Sequence, residues 1–348
     1  MSNYQRQIIL PEIGESGQRK LADARILVVG AGGLGCALLP YLVGSGIGRI
    51  GIIDGDRVDS SNLHRQILYT PDSVSKYKVD EAKQFLLKQR PDIVIDTYST
   101  YLTGLNARKI VEEYDVIVDA TDRISSRYLI NDTAVLCNKP IVYASIHRFE
   151  GQVSVFNYKN GPTYRCLFPK AAEVPNCAEA GVLGTSVGFI GLIQAQEVIK
   201  VILGIGDVLS GKLIMYNTLT ASQQCFEFTK TERAEISHDF FEKSHMKQEV
   251  NTADFNNNQS DAGTFIDVRE LDELPRVNFN QLIEIPLLEL NQKMNQLNKF
   301  ETYYVFCQSG KRALNAAQQM YDTGFNYVTA ITDGAEVIAN HNNQTIKN

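Results

Sequence analysis

The run Ile26-Leu27-Val28-Val29-Gly30-Ala31-Gly32-Gly33-Leu34-Gly35 decides how this chain is read. Four consecutive aliphatic residues predict a buried strand, and the glycines after it predict a tight turn into a helix. With no Cβ at Gly30, Gly32, Gly33 and Gly35, backbone N–H groups and the helix N-terminus can approach phosphate oxygens. Many dinucleotide-binding folds share such a loop, so its surroundings carry the argument. Asp54 and Asp56 close the next apolar run, Ser61-Asn62-Leu63-His64-Arg65-Gln66 follows, and Lys78 and Asp119-Ala120-Thr121-Asp122 come later. Cationic groups that handle phosphates and carboxylates that handle Mg²⁺ together predict a nucleoside triphosphate site. Asp54 also stands where a ribose-binding acid is expected after a glycine fingerprint.

Outward from this loop, apolar runs at 26–29, 50–53, 93–97, 116–118 and 141–143 alternate with helical segments at 34–43 and 78–89. The alternation predicts an α/β, Rossmann-like, doubly wound and mainly parallel sheet. Val153-Ser154-Val155-Phe156 and the turn Asn160-Gly161-Pro162 predict an antiparallel extension, continued by strands at 212–216 and 225–228. Val187, Ile190, Gly191, Gln194, Val198 and Val201 recur at helical spacing and predict one long buried helix over 181–203. A first domain is expected over 1–234 and a second, small α/β domain over 235–348, with a polar loop or linker at 251–261. Strands at 264–268 and 303–306 and a helix at 312–321 are expected in the second.

The chain has 348 residues, enough for two domains with their own cores. Its formal charge is −6 and no run of five like charges occurs, which argues against nucleic acid as the main partner. No apolar stretch is read as long enough for a membrane span, and the N-terminus lacks a long apolar signal region, so a cytoplasmic protein is expected. Six widely spaced cysteines do not form a disulfide framework. Cys36, Cys137 and Cys225 lie in apolar settings and are expected in the core.

The constellation resembles the MoeB/ThiF family of ubiquitin-activating-like adenylyltransferases, which activate small ubiquitin-like sulfur carriers. The likeness is carried by Arg6-Gln7-Ile8-Ile9-Leu10, the glycine loop, residues 61–66, Lys78, Thr121-Asp122, Phe149-Glu150-Gly151-Gln152, Tyr164-Arg165-Cys166 and Cys177-Ala178-Glu179-Ala180-Gly181-Val182. It implies that Asn62, Arg65 and Lys78 hold the ATP phosphates, with Asp54, Asp56, Ser61 and Gln66 also at the nucleotide. It further implies that Asp122 helps bind Mg²⁺ and that Arg6 reaches the nucleotide of the partner in a homodimer. The cysteine matching Cys177 either takes part in covalent transfer or only packs. Adenylylation needs charge neutralisation and alignment more than proton transfer, so His64 and His147 are expected to be structural. Two features depart from the family. Relatives bind zinc through two C-x-x-C pairs, but here the first reads Thr163-Tyr164-Arg165-Cys166 and the second is missing. No structural zinc is expected, and Cys166 is read as a buried thiol. Arg123 follows Asp122 where relatives usually carry Asn.

Cys307-Gln308-Ser309-Gly310-Lys311-Arg312, between a strand and a helix, resembles the active-site loop of rhodanese-like sulfurtransferases. Backbone N–H groups at a helix N-terminus, with Lys311 and Arg312, would stabilise a thiolate or persulfide. Ile266-Asp267-Val268-Arg269-Glu270 and Ile285-Pro286-Leu287-Leu288-Glu289-Leu290 also match, whereas 271–284 departs from that pattern. The bland alternative is a buried cysteine ending a core strand. Together the two resemblances imply ATP-dependent adenylylation of the C-terminal glycine of a MoaD-like or ThiS-like carrier. Sulfur would follow from a persulfide on Cys307, charged by a donor such as a cysteine desulfurase, for molybdopterin- or thiamine-type sulfur incorporation. Two rivals stand beside this reading. A nucleotide-dependent oxidoreductase leaves Arg65, Lys78 and the Cys307 loop without a task, and a non-catalytic carrier-binding scaffold is favoured only by Arg123 and the missing zinc ligands.

Overall fold

Buried aliphatic runs that alternate with amphipathic segments set the architecture. A computed structural model describes residues 4–169, 181–231, 236–245, 251–255, 263–277, 281–325 and 327–345; Cys177 lies outside them. The chain divides into two units, Met1–Lys247 and Gln248–Asn348.

The first unit carries β1 (Arg25–Val29), β2 (Arg49–Ile53), β3 (Val94–Tyr98), β4 (Val116–Asp119), β5 (Ile141–His147), β6 (Glu150–Phe156), β7 (Lys212–Asn217) and β8 (Ser222–Glu227). They form one sheet in the order β3-β2-β1-β4-β5-β6-β7-β8. Pairing is parallel from β3 through β5 and antiparallel from β5 through β8. Around it stand α1 (Gln5–Ile8), α2 (Gly14–Asp23), α3 (Gly33–Gly44), α4 (Lys78–Gln89), α5 (Gly104–Glu112), α6 (Ile124–Leu136), α7 (Tyr164–Leu167), α8 (Gly184–Leu203) and α9 (His238–His245). Leu38, Leu39 and Leu42 of α3 share a core with Ile190 and Val198 of α8 and with Ile26 and Val28 of β1. The opposite face of β1 packs Leu27 and Val29 with Val111 of α5 and Ile130 of α6. Helices on both faces of a mainly parallel sheet make the expected doubly wound fold. Gly191 lets α8 lie close on α3: a Cβ there would stand 2.8 Å from Ala37 Cβ and 3.0 Å from the Leu34 carbonyl oxygen.

The second unit is a parallel sheet, β9 (Asn251–Ala253), β10 (Thr264–Asp267), β11 (Leu282–Glu284), β12 (Thr302–Phe306) and β13 (Tyr327–Ile331), in the order β11-β10-β12-β13-β9. α10 (Leu290–Lys293), α11 (Lys311–Asp322) and α12 (Ala335–Thr345) complete it.

Four expectations are corrected. The polar stretch at 251–261 begins with a strand, because β9 pairs with β13 as a sheet edge. The units divide after residue 247, not 234, because α9 buries Phe241 against Ala107 and Leu129 of the first unit. α8 is long and apolar enough to cross a membrane, contrary to the reading of the apolar runs, but 56% of its most apolar window is buried in the protein. Cys36 is buried, whereas Cys137 is only half-buried and Cys225 is exposed on β8, which among the described residues has a partner on one side only.

Candidate functional site

The glycine loop leaves β1 and enters α3, and three of its glycines have a steric reason. Gly30 has φ +101°, and a Cβ there would stand 2.7 Å from the Ala120 carbonyl oxygen. One at Gly35 would lie 2.3 Å from the Gly30 carbonyl oxygen, and one at Gly33 would lie 2.6 Å from Val187 Cγ1. Gly32 is different: its nearest neighbour is Gln66 Nε2 at 3.8 Å, so this side of the loop is an open cradle. Gln66 is buried, and its Oε1 has no hydrogen-bond partner among the described residues.

Three charged groups converge beside the cradle at the carboxyl end of β2. Asp54 Oδ2 accepts from Ala31 N–H at 2.8 Å and Asp54 Oδ1 from Asp56 N–H at 2.8 Å. Burial pushes the Asp54 carboxyl up, against the pull of Lys78 and the two N–H groups. The buried Lys78 Nζ donates to Asp56 Oδ2 at 2.9 Å. The Asp56 carboxylate also accepts from the Tyr101 hydroxyl. Burial works against the charge of Asp56, but the Tyr101 and Lys78 bonds outweigh it and hold the carboxyl below its usual range. Tyr101 is pushed up to about 12, by burial first and by Asp56 second.

Arg65 Nη1 donates to the Ser61 carbonyl at 3.2 Å and lies 2.8 Å from His64 Nε2. Ser61 is held by Asp59, and Asn62 Nδ2 donates to Ser61 Oγ at 3.2 Å. This segment abuts the start of α8, since a Cβ on Gly184 would meet the His64 carbonyl oxygen at 2.6 Å. After β4, buried Asp119 accepts from Thr121 N–H at 3.0 Å and Oγ1 at 2.7 Å, and burial pushes its carboxyl up. Arg127 fixes the same turn, donating to the Thr121 carbonyl at 3.2 Å and Ser145 Oγ at 2.9 Å. Gln194 of α8 donates to the Asp119 carbonyl at 2.7 Å. Asp122 is left exposed beside the loop. Tyr101, Arg127 and Gln194 carry no motif in the sequence. Their only signal is polarity in otherwise apolar helical or strand-end positions.

Arg6 is not brought to this loop. α1 sits at the far end of α3, where Gln7 Nε2 donates to the Ser45 carbonyl at 3.5 Å and the Tyr4 ring lies against Gly46. α3 has 12 residues, so about 18 Å of helix separates that end from Gly33.

In the second unit, Cys307 directly follows β12 with none of its surface exposed, packed with Ile266, Val305 and Ala313. Its sulfur accepts from the Ala313 N–H at 3.3 Å. Gly310 has φ +78°, and a Cβ there would meet the Thr332 carbonyl oxygen at 2.6 Å, so the turn into α11 requires glycine. Gln308 is half-buried and Ser309 and Lys311 are exposed. Arg312 was expected to spend its charge on the sulfur. It forms a double hydrogen bond with Glu273, 2.6 Å at each oxygen, and also interacts by hydrogen bond and charge with the Cys307 sulfur, a smaller influence on the guanidinium. Those bonds pull Glu273 down to about 2. Arg269, wholly buried, was quoted in the sequence but given no role. It pairs with Asp267 at 2.7 Å and donates to Gln308 Oε1 at 3.0 Å, tying the loop to β10.

Cys166 is half-buried rather than buried. Its sulfur accepts from Thr163 N–H at 3.3 Å and Thr231 N–H at 3.5 Å and contacts Thr163 Oγ1 at 3.5 Å. Burial raises this thiol, but the bonds from Thr163 and Thr231 bring it below its usual value. No group of three or more potential metal-ligating side chains occurs among the described residues.

A doubly wound sheet with a glycine cradle and paired charges at its strand ends, followed by a small parallel sheet ending in a cysteine loop, defines a two-part protein. The ThiF family model matches residues 4–237, and the chain belongs to that family. Residues 251–341 match the rhodanese-like domain. A protein of Culex quinquefasciatus named adenylyltransferase and sulfurtransferase MOCS3 is 51% identical over 62% of this chain and 50% of its own length. The chain thus spans about half the length of that curated relative. The sulfur carrier protein adenylyltransferase of Thermus thermophilus is 44% identical over 69% of this chain and 91% of its own. Adenylyltransferase and sulfurtransferase UBA4 of Meyerozyma guilliermondii is 38% identical over 95% of this chain and 86% of its own. The ATP-bound structure of E. coli MccB, 23% identical, shares the fold with a TM-score of 0.59 over 66% of this chain and 72% of its own.

Proposed function

We propose that the protein uses ATP to adenylylate the C-terminal glycine of a ubiquitin-like sulfur carrier and then delivers sulfur from a persulfide on Cys307. The observation that carries the reading is the convergence of Asp54, Asp56 and Lys78 on the open side of the glycine loop. A hydride-transfer site has no use for a buried lysine there. A triphosphate does, because Lys78 can exchange Asp56 for phosphate oxygens. Names of relatives that pair adenylyltransferase with sulfurtransferase support the same reading, as does the sulfur carrier in the Thermus name. An MccB solved with ATP supports the nucleotide only through its shared fold.

In this reading Asp54 takes the ribose hydroxyls and the cradle of Gly30, Gly32, Gly33 and Gly35 takes the phosphates, with Ser61 and Gln66 alongside. Asn62, Arg65 and Lys78 neutralise the phosphate charge. A carboxylate oxygen of the carrier attacks the α-phosphorus and pyrophosphate leaves. Asp122 fits a Mg²⁺ ligand: it is exposed beside the loop, and this ion is ordinarily held by one or two carboxylates plus substrate phosphates and water. Bound there, the ion would offset phosphate charge. The persulfide's outer sulfur then attacks the acyl carbon and AMP leaves; a thiol attacks the Cys307 sulfur of the resulting acyl disulfide, forming a disulfide with Cys307 and releasing the thiocarboxylate. Cys307 is fully buried, so sulfur loading requires its surroundings to open. A cysteine desulfurase is a fitting sulfur source. Arg6 is assigned to a partner's nucleotide in a homodimer by the family resemblance. Molybdopterin-type or thiamine-type sulfur incorporation is the process served, in the cytoplasm.

The test is ATP–pyrophosphate exchange with a carrier ending in Gly-Gly. Exchange that depends on the carrier, and is lost in a folded Asp122→Ala protein, is the expected result. Exchange near the wild-type rate in that variant removes Asp122 from the site. Retention of NAD(P) or flavin with no exchange favours the oxidoreductase.

A further inference from the structure

The strand order β3-β2-β1-β4 places the ends of β2 and β1, with Asp54, Asp56 and the glycine loop, between the segments that follow β3 and β4. Three interstrand steps separate β3 from β4, about 14 Å. Two side chains close that distance. Tyr101, after β3, lies on Gly55, where a Cβ would meet the ring carbons Cδ2 and Cε2 at 2.9 Å. Its hydroxyl donates to Asp56. Arg123, the N-cap of α6 after β4, holds its guanidinium carbon 4.9 Å from the Tyr101 ring centroid. That guanidinium has no hydrogen bond or ion pair among the described residues, and Tyr101 keeps 46% of its surface exposed. The pair therefore arches over the crevice in which α/β folds bind their ligands.

We propose that Tyr101 and Arg123 form a strap across the nucleotide crevice: Arg123 closes over the bound nucleotide, and Tyr101 is a positioning residue that holds Asp56 and, through it, Lys78. The inference rests on the ATP reading above. An exposed cation–ring contact is weak enough to open and re-form in each turnover, and an unpaired guanidinium gains a partner when a triphosphate arrives. Gly55 is what lets the ring lie this close to the backbone between Asp54 and Asp56 in sequence. Arg123, a departure from the family pattern, thereby acquires a task through Tyr101.

Stopped-flow release of a fluorescent ATP analogue from the full chain tests the strap. Arg123→Ala and Tyr101→Ala each speed release about threefold, and the double variant is no faster than either single one, because the two act as a unit. Tyr101→Phe keeps the ring and loses the bond to Asp56 that positions Lys78, so it weakens nucleotide binding without removing the ring contact to Arg123. Its KM for ATP in pyrophosphate exchange rises about threefold while kcat is nearly unchanged. Arg123 is exposed, so its variant reports even where Tyr101→Ala does not fold. Unchanged release in Arg123→Ala, or accelerations that multiply in the double variant, overturns the strap and leaves the ATP reading standing. A wild-type protein that binds no ATP analogue overturns the ATP reading and the strap with it.

Discussion

Arg312 shows how a residue's chemistry depends on what it touches. Read in line, it stands five residues after Cys307 as a charge for the sulfur; folded, it is bound at both nitrogens to Glu273. The Glu273 carboxyl is drawn from its ordinary 4.5 to about 2 by those bonds. A depressed carboxyl binds fewer protons in the folded state than in the unfolded one, so stability rises with pH. The contribution is complete above about pH 4.5 and is lost as the pH falls through 2. Thermal melting across that window is expected to show a smaller loss for Glu273→Gln than for the wild type; equal losses would mean the pair contributes nothing to folding. The glycine loop was legible residue by residue, because a missing Cβ has the same meaning in sequence and in space. Tyr101 was not, since a tyrosine in a loop acquires its partners Asp56 and Arg123 only when three strand ends are brought side by side.

Among the elements, the strands of the first unit and its helices α3, α4 and α8 were readable from period, with α4 on the expected residues 78–89, whereas α2, α5 and α6 were not read. What period could not reveal was α9, a short segment in polar sequence. It is held by Asp132, fully buried, which accepts from Arg165 at 2.7 Å on each oxygen and lies 2.6 Å from His245 Nε2. Asp132 lies in α6, Arg165 in α7 and His245 in α9, so three elements far apart in sequence meet at one carboxylate. Burial raises that carboxyl, but Arg165, His245 and Asn131 together hold it below its usual range. Asp132→Asn leaves Arg165 without its counter-charge and is expected to destabilise the first unit by about 3 kcal/mol. Urea unfolding measures this, and an unchanged midpoint would show that α9 is held by Phe241 instead. The neighbouring α7 carries Cys166 with threonine-derived donors around it, not a set of four soft ligands. Elemental analysis of the purified protein is expected to find no stoichiometric zinc; one tightly held zinc per chain would show that the ligand set lies elsewhere.

At the scale of the whole molecule, the proposed function divides between the two units, with phosphates at the strand ends of one and sulfur at the end of β12 in the other. In that proposal, joining them in one chain raises the effective concentration of the sulfur donor toward the acyl adenylate. The division predicts separable losses. Asp122→Ala stops adenylylation but leaves Cys307 able to accept sulfur, whereas Cys307→Ala leaves pyrophosphate exchange intact. The most direct measurement supplies a carrier ending in Gly-Gly, ATP, Mg²⁺ and a persulfide donor as the only sulfur source, and follows the carrier by mass spectrometry. The wild-type chain is expected to convert the carboxylate to the thiocarboxylate, and Cys307→Ala is expected to halt at the adenylate. Thiocarboxylate formed at the wild-type rate by Cys307→Ala would contradict the account and leave Cys177 as the leading candidate for the sulfur-bearing thiol.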